Sequence, residues 1–125
     1  LRINPKHKDA YFNRAILYTD TGKYDLAIAD YSAIIALDSR QVESYNNRGY
    51  IFFQQQKYQD ALNDFNQALA INPSYIQTRF NRAQIYIQQQ DYRTAQADLG
   101  YVLKLDPAHN GAKEALQTID QHLKP

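Results

Sequence analysis

The chain contains no Cys, no Met and no Trp, and only four Gly and four Pro among its 125 residues. Without cysteine there is no disulfide framework, thiolate zinc site, iron–sulfur cluster or cysteine nucleophile. A dominant charge is missing as well. Fourteen Lys and Arg stand against 13 Asp and Glu, a formal net charge of +1, which leaves no electrostatic footprint for nucleic acid or an anionic membrane. No apolar run reaches the roughly 18 residues of a membrane span, and no basic patch precedes an apolar stretch at the N-terminus. Nucleic acid and a membrane span are therefore not expected. The lack of methionine, with Leu1 in first place, reads as a mature or excised piece. At this length one compact unit is expected.

What the chain does have is a period. Pro5, Pro73 and Pro107 are separated by multiples of 34 residues. Laying residues 8–41 over 42–75 and then over 76–109 gives eight and then eleven identities without gaps, where unrelated windows would share about two. Asn13/Asn47/Asn81, Arg14/Arg48/Arg82, Tyr24/Tyr58/Tyr92, Ala27/Ala61/Ala95 and Asp30/Asp64/Asp98 recur in all three blocks. Each block carries two stretches with apolar spacings of three and four, an amphipathic helix pair. The turn between them holds Gly22 in the first block, suited to the left-handed residue that ends a helix. The later blocks place Gln54-Gln55-Gln56 and Gln88-Gln89-Gln90 there. A Gln in that conformation costs about 1 to 2 kcal/mol, so these two turns are expected to differ in shape from the first.

Residues facing one another across antiparallel helices have numbers adding to a constant. Tyr11 with Tyr31, Ala15 with Ala27 and Tyr18 with Tyr24 share one sum. Tyr45 with Phe65, Gly49 with Ala61 and Phe52 with Tyr58 share another. Small residues at the crossing and rings at the splayed ends satisfy close helix packing. In the third block Arg79 faces Leu99, an end expected to be looser or lidded by the Arg stem.

The aromatic–small–aromatic first helix, followed by Tyr, Ala, an aromatic and a closing Pro, resembles the tetratricopeptide repeat, best seen in Tyr45, Gly49, Phe52, Tyr58, Ala61, Phe65, Ala68 and Pro73. Departures are Ser39 for Pro, Arg79 and Leu99 for aromatics, and Ile34 and Val102 for Ala. The resemblance implies an all-α fold, a right-handed α–α superhelix (solenoid) of three helix pairs at 8–41, 42–75 and 76–109. Residues 1–7 read as the end of a preceding, truncated repeat. Residues 110–125 read as a C-terminal capping helix with Ala112, Ala115, Leu116, Ile119 and Leu123 on one stripe.

Arg14 with Asp30, Arg48 with Asp64 and Arg82 with Asp98 lie close to the facing sums and are expected to form structural ion pairs, across the hairpin or with the adjoining repeat. The alternative makes each Arg a ligand contact. By the resemblance, first helices line a concave groove, where Asn13, Asn47 and Asn81 would form a ladder gripping an extended peptide backbone. Such ladders do so in the repeat arm of O-linked N-acetylglucosamine transferases, which these positions are similar to. The competing reading is that each Asn satisfies a neighbouring helix. Phe12, Tyr50, Phe53 and Phe80 would add apolar contact, and Gln77 and Gln84 specificity. The family's clamp for acidic chaperone tails uses Lys, Asn, Asn, Lys and Arg in turn, where this chain has Phe12, Ile16, Asn47, Gln77 and Asn81, so that only Asn47 matches. A neutral or apolar peptide is the expected protein partner rather than an acidic tail.

No phosphate loop, metal motif or elbow serine occurs. His7, His109 and His122 are scattered, and Asp25, Asp60 and Asp91 read as solvated. No enzyme activity and no cofactor are expected of the chain itself. Two other readings stay open: a non-catalytic arm of a larger enzyme such as a glycosyltransferase, and a scaffold that self-associates as a homo-oligomer through the truncated N-terminal face around Leu1, Ile3, Leu17 and Tyr18.

Overall fold

A computed structural model of the chain describes residues 7–124. The segment read as the end of a preceding repeat, with Leu1 and Ile3, lies outside the described residues except for His7. Among the described residues the structure is all-α, a helical repeat of seven helices: α1 (Lys8–Asp20), α2 (Tyr24–Leu37), α3 (Val42–Gln54), α4 (Tyr58–Ile71), α5 (Ile76–Gln88), α6 (Tyr92–Leu105) and α7 (Asn110–Leu123). Instead of the single compact unit expected from length, there are two, meeting between Asn72 and Pro73. Repeats bury surface only against their neighbours, so chain length does not force one core.

In the first unit α1 packs on α2, α2 on α3 and α3 on α4. Ala15, Ala27, Tyr31, Ile34 and Ile51 form a buried cluster. The two alanines at the α1–α2 crossing are fully buried, which lets the backbones approach and leaves room for rings on either side. Tyr31 meets Phe12 edge-on, with centroids 5.8 Å apart, while its facing residue Tyr11 lies under the Arg14 guanidinium. In the next pair Gly49 lies against Phe65. A Cβ there would come within 2.7 Å of the Phe65 ring, so the missing side chain is what admits the ring.

In the second unit α5 packs on α6 and α6 on α7, around Ala83, Ala95, Leu99, Val102, Ala112 and Ile119. Arg79 replaces the expected ring and lids the end of the pair. Its guanidinium lies 3.7 Å from the Tyr101 ring centroid and its Nε donates to the Pro73 carbonyl at 2.9 Å, and Leu99 is fully buried. Helix α7 is capped by His109, whose Nδ1 accepts from the Ala112 amide at 3.0 Å.

The three intra-pair turns do not differ in shape. Gly22, Gln56 and Gln90 all have φ between 61° and 76°. In each, the left-handed residue's amide donates to the third residue before it, and the following amide reaches back five residues. Thus Gly22 N donates to Thr19 O and Lys23 N to Tyr18 O, Gln56 N to Phe53 O and Lys57 N to Phe52 O, and Gln90 N to Ile87 O and Asp91 N to Tyr86 O, at 2.8 to 3.1 Å. This is the Schellman cap. Two otherwise orphaned helix carbonyls are satisfied per turn, which offsets the strain of a left-handed Gln. Gln56→Gly and Gln90→Gly should each stabilise the fold by up to about 1 kcal/mol, the relieved strain less the extra backbone entropy of Gly. Thermal unfolding midpoints of the single and double variants check this.

Candidate functional site

Two residue sets, Asn and Arg, recur on the first helix of each pair, with aromatic residues near them, and the structure gives them different surroundings. The Arg residues are built into the hairpins. Arg14 donates Nε and Nη2 to the Asp30 carboxylate at 2.8 and 2.7 Å. Arg48 does the same with Asp64, and Arg82 with Asp98. Two parallel bonds from a planar fork fix geometry as well as charge. All three Asp residues are buried. Arg48 also donates Nη1 to the Ser32 hydroxyl of α2 at 2.9 Å. Asp98 receives a second cation, Arg79, at 3.4 Å. Burial pushes the Asp64 carboxyl up, against the pull of Arg48.

These pairs matter for any ligand because they use up the cations of the first helices. On α1, α3 and α5 the basic residues are Lys8, Arg14, Arg48, Arg79 and Arg82. Each has a carboxylate oxygen within 3.4 Å, Lys8 taking Asp38 at 3.2 Å.

The Asn residues differ from copy to copy. Asn13 on α1 is exposed. Asn47 on α3 is half-buried, donates Nδ2 to the Tyr31 hydroxyl at 3.3 Å and accepts from Asn46 at the same distance. An amide has two donor hydrogens and two acceptor lone pairs, so Asn47 keeps one of each beyond these bonds. In the second unit Asn81 is buried and accepts from Gln77 Nε2 at 3.3 Å. It is the least accessible of the three.

The aromatic residues divide likewise. Tyr50 is 40% exposed and leads a run of rings along one side of the α3–α4 hairpin, Tyr50 to Phe53 at 6.3 Å and Phe53 to Tyr58 at 5.9 Å. Phe12 packs on Tyr31, and burial pushes the Tyr31 phenol up. Phe80 lies against the His109 ring at 4.9 Å and borders Gly111, where a Cβ would meet it at 3.0 Å. Phe12 and Phe80 are thus packing residues at least in part, and Gln84 is half-buried. The sequence reading missed Tyr31 and Ser32, second-helix residues that reach the first helix of the next pair. Their signal was a separation of 16 residues, shared by Tyr31–Asn47 and Ser32–Arg48 with the three recurring Arg–Asp pairs. Among the described residues no group of three His, Cys, Asp or Glu could hold a metal ion, and no helix is long and apolar enough to cross a membrane.

With this geometry in hand, comparison with known proteins gives a consistent result. Models of the family described as "Tetratricopeptide repeat" match residues 42–75 and, separately, 1–29 with 65–97; another, described as "TPR repeat", matches 17–54. Among solved structures, the chain is similar to the first TPR of Spaghetti (RPAP3) bound to an HSP90 peptide, SRMEEVD. The TM-score is 0.90 and the identity 28%, over 98% of this chain and 98% of that one. The second TPR domain of human RPAP3, in complex with an HSP70 peptide, superimposes with TM-score 0.85 and 27% identity, over 94% and 98% of the two chains. The type III secretion chaperone SycD of Yersinia enterocolitica, in complex with a YopD peptide, shares the fold at TM-score 0.91 and 15% identity, over 99% and 100%. By sequence alone, no curated protein matches the chain.

Proposed function

The chain belongs to the tetratricopeptide repeat family, and from that we propose that it is a protein-interaction module that takes an extended peptide on the face of its first helices. Asn13 and Asn47 supply amides to the peptide backbone in the first unit; in the second, Gln77 and Gln84 offer theirs, while Asn81, which sequence reasoning placed in the ladder, is 4% exposed and bonded to Gln77. Tyr50 and Phe53 supply the apolar contact, with smaller shares from Phe12 and Phe80. The observation that carries the reading is Asn47 beside Tyr50: a half-buried amide with a spare donor and acceptor next to a ring that is 40% exposed.

The similar RPAP3 domains are bound to peptides ending in Glu-Glu-Val-Asp. This chain suits a neutral or apolar segment better, because every described cation on its first helices is already held by a carboxylate. Freeing one of the arginines would break a pair whose Asp is buried, and an acidic tail would have to compensate for that loss.

Fluorescence polarisation with the acidic peptide SRMEEVD and its neutral counterpart SRMQQVN tests the preference. The neutral peptide should bind at least as tightly, with little change between about 0.05 and about 0.5 M salt. Acidic binding tighter by about tenfold, and weakened by salt, would overturn it.

A further inference from the structure

One buried hydroxyl has no counterpart in the other repeats. Tyr31, Phe65 and Leu99 occupy the same second-helix position in the three blocks, and all three are buried. Phe65 and Leu99 show that an apolar side chain satisfies the packing there. The phenol oxygen of Tyr31 therefore adds a desolvation cost that a hydrogen bond must offset. Its partner is Asn47 on α3, whose Nδ2 donates to it at 3.3 Å. Helix α1 holds the ring from the other side. Phe12 meets it edge-on at 5.8 Å, and Thr19 is hydrogen-bonded to the phenol. The Thr19 hydroxyl proton goes to the Ala15 carbonyl at 2.8 Å, so the phenol proton is drawn to Thr19 and the phenol oxygen is left to accept from Asn47.

This bond matters because the two ends of a carboxamide are alike in shape and opposite in hydrogen bonding. At Asn47 both ends are held: Nδ2 donates to Tyr31, and Oδ1 accepts from Asn46 Nδ2 at 3.3 Å. Turning the amide over would set two NH2 groups against each other at Asn46 and require the phenol to donate instead of accept. An extended residue presents its N–H and C=O on the same side of the chain, the N–H first. Asn47 Oδ1 can take that N–H and Nδ2 that C=O. A fixed amide therefore fixes the direction of the chain it binds.

We propose that Tyr31 is a positioning residue of the peptide face: its hydroxyl sets the orientation of the Asn47 amide, so that a bound extended segment runs with its C-terminal end toward Tyr31 and Phe12. The proposal rests on the peptide reading above, in which Asn47 grips the backbone. The third copy is built differently. The residue 16 places before Asn81 is Phe65, which has no hydroxyl, and Asn81 accepts from Gln77 of its own helix. Direction is thus set at Asn47.

The probe is the neutral peptide SRMQQVN with a nitroxide on an added N-terminal or, separately, C-terminal cysteine, bound to the intact ¹⁵N-labelled chain. The C-terminal label should broaden the Phe12 and Ile16 amides of α1 more strongly than the N-terminal label does. In Tyr31→Phe the amide is free to turn over, so both labels should broaden them alike. Affinity should then fall by only about twofold, since half of the amides keep each orientation. Asn47→Ala should lose about tenfold or more. A hydroxyl used for packing alone would leave direction unchanged. In the free chain, a nuclear Overhauser contact between the Asn47 Nδ2 protons and the Tyr31 ring reports the tether, even where Tyr31→Phe does not fold. The proposal is overturned if that contact is absent, if the two labels act alike in the wild type, or if Tyr31→Phe keeps the wild-type pattern or loses as much affinity as Asn47→Ala. Failure of SRMQQVN to bind at all would overturn the peptide reading and this proposal with it, whereas binding without a preferred direction overturns the proposal alone.

Discussion

Arg48→Ala should destabilise the fold by about 3 to 5 kcal/mol, the cost of stranding a buried carboxylate. Asp64 is 4% exposed and holds Arg48 through two bonds of 2.7 and 2.8 Å, and the variant also removes the bond to Ser32. The three copies provide internal controls. Arg14→Ala also strands a buried carboxylate, Asp30, but should cost less than Arg48→Ala, because half the Arg14 side chain is in water, which can reach the carboxylate once the guanidinium is gone. Arg82→Ala should fall between, since Arg79 remains 3.4 Å from Asp98. The sign of the pH dependence follows from Asp64. Burial already raises its folded pKa above the unfolded value, and removing Arg48 raises it further. The native state then takes up the proton first, so the contribution of this site is greatest at low pH and is lost as pH rises through the folded value. The deficit of Arg48→Ala should therefore shrink between about pH 7 and about pH 4.5. Urea unfolding at both values checks it, and a constant deficit would mean that Asp64 finds another partner or reaches water.

Phe65→Ala should cost about 3 to 5 kcal/mol, as expected for deleting a fully buried ring from a packed core. Its coupling to Gly49 is the sharper test. Gly49→Ala adds a methyl 2.7 Å from the ring, an overpacking cost of about 1 to 3 kcal/mol, set against the roughly 1 kcal/mol by which Ala is favoured in a helix. In a Phe65→Leu background the clash is relieved and the same substitution should become neutral or stabilising. A double-mutant cycle by chemical denaturation measures the difference, and strict additivity would mean that the ring has room to move aside.

The helices were legible because each obeys one period of apolar spacing, and the pairs because facing positions add to a constant. The Arg–Asp partners were legible for the same reason. Three features were not. The Gln56 and Gln90 turns follow the Gly22 turn despite an unfavourable residue, because two backbone hydrogen bonds per cap outweigh a local preference. Phe80 looked like a free groove ring because His109 and Gly111, which pack on it, stand outside the first-helix pattern. The unequal burial of Asn13, Asn47 and Asn81 is invisible to a period, which treats copies as equal although their neighbours are not. Asn47 illustrates why both readings of the Asn positions had a basis: the amide satisfies Tyr31 of the neighbouring helix and still has a donor and an acceptor beyond its two bonds.

The most direct test of the central claim is selection of peptides from a random display library on the intact chain, followed by affinity measurement against wild type and the Asn13→Ala, Asn47→Ala double variant, with circular dichroism confirming the fold. The account predicts neutral or apolar sequences that bind the double variant about tenfold or more weakly, the loss expected for hydrogen bonds to a peptide backbone. Selection of acidic C-terminal sequences whose affinity is unchanged in the folded double variant would contradict it.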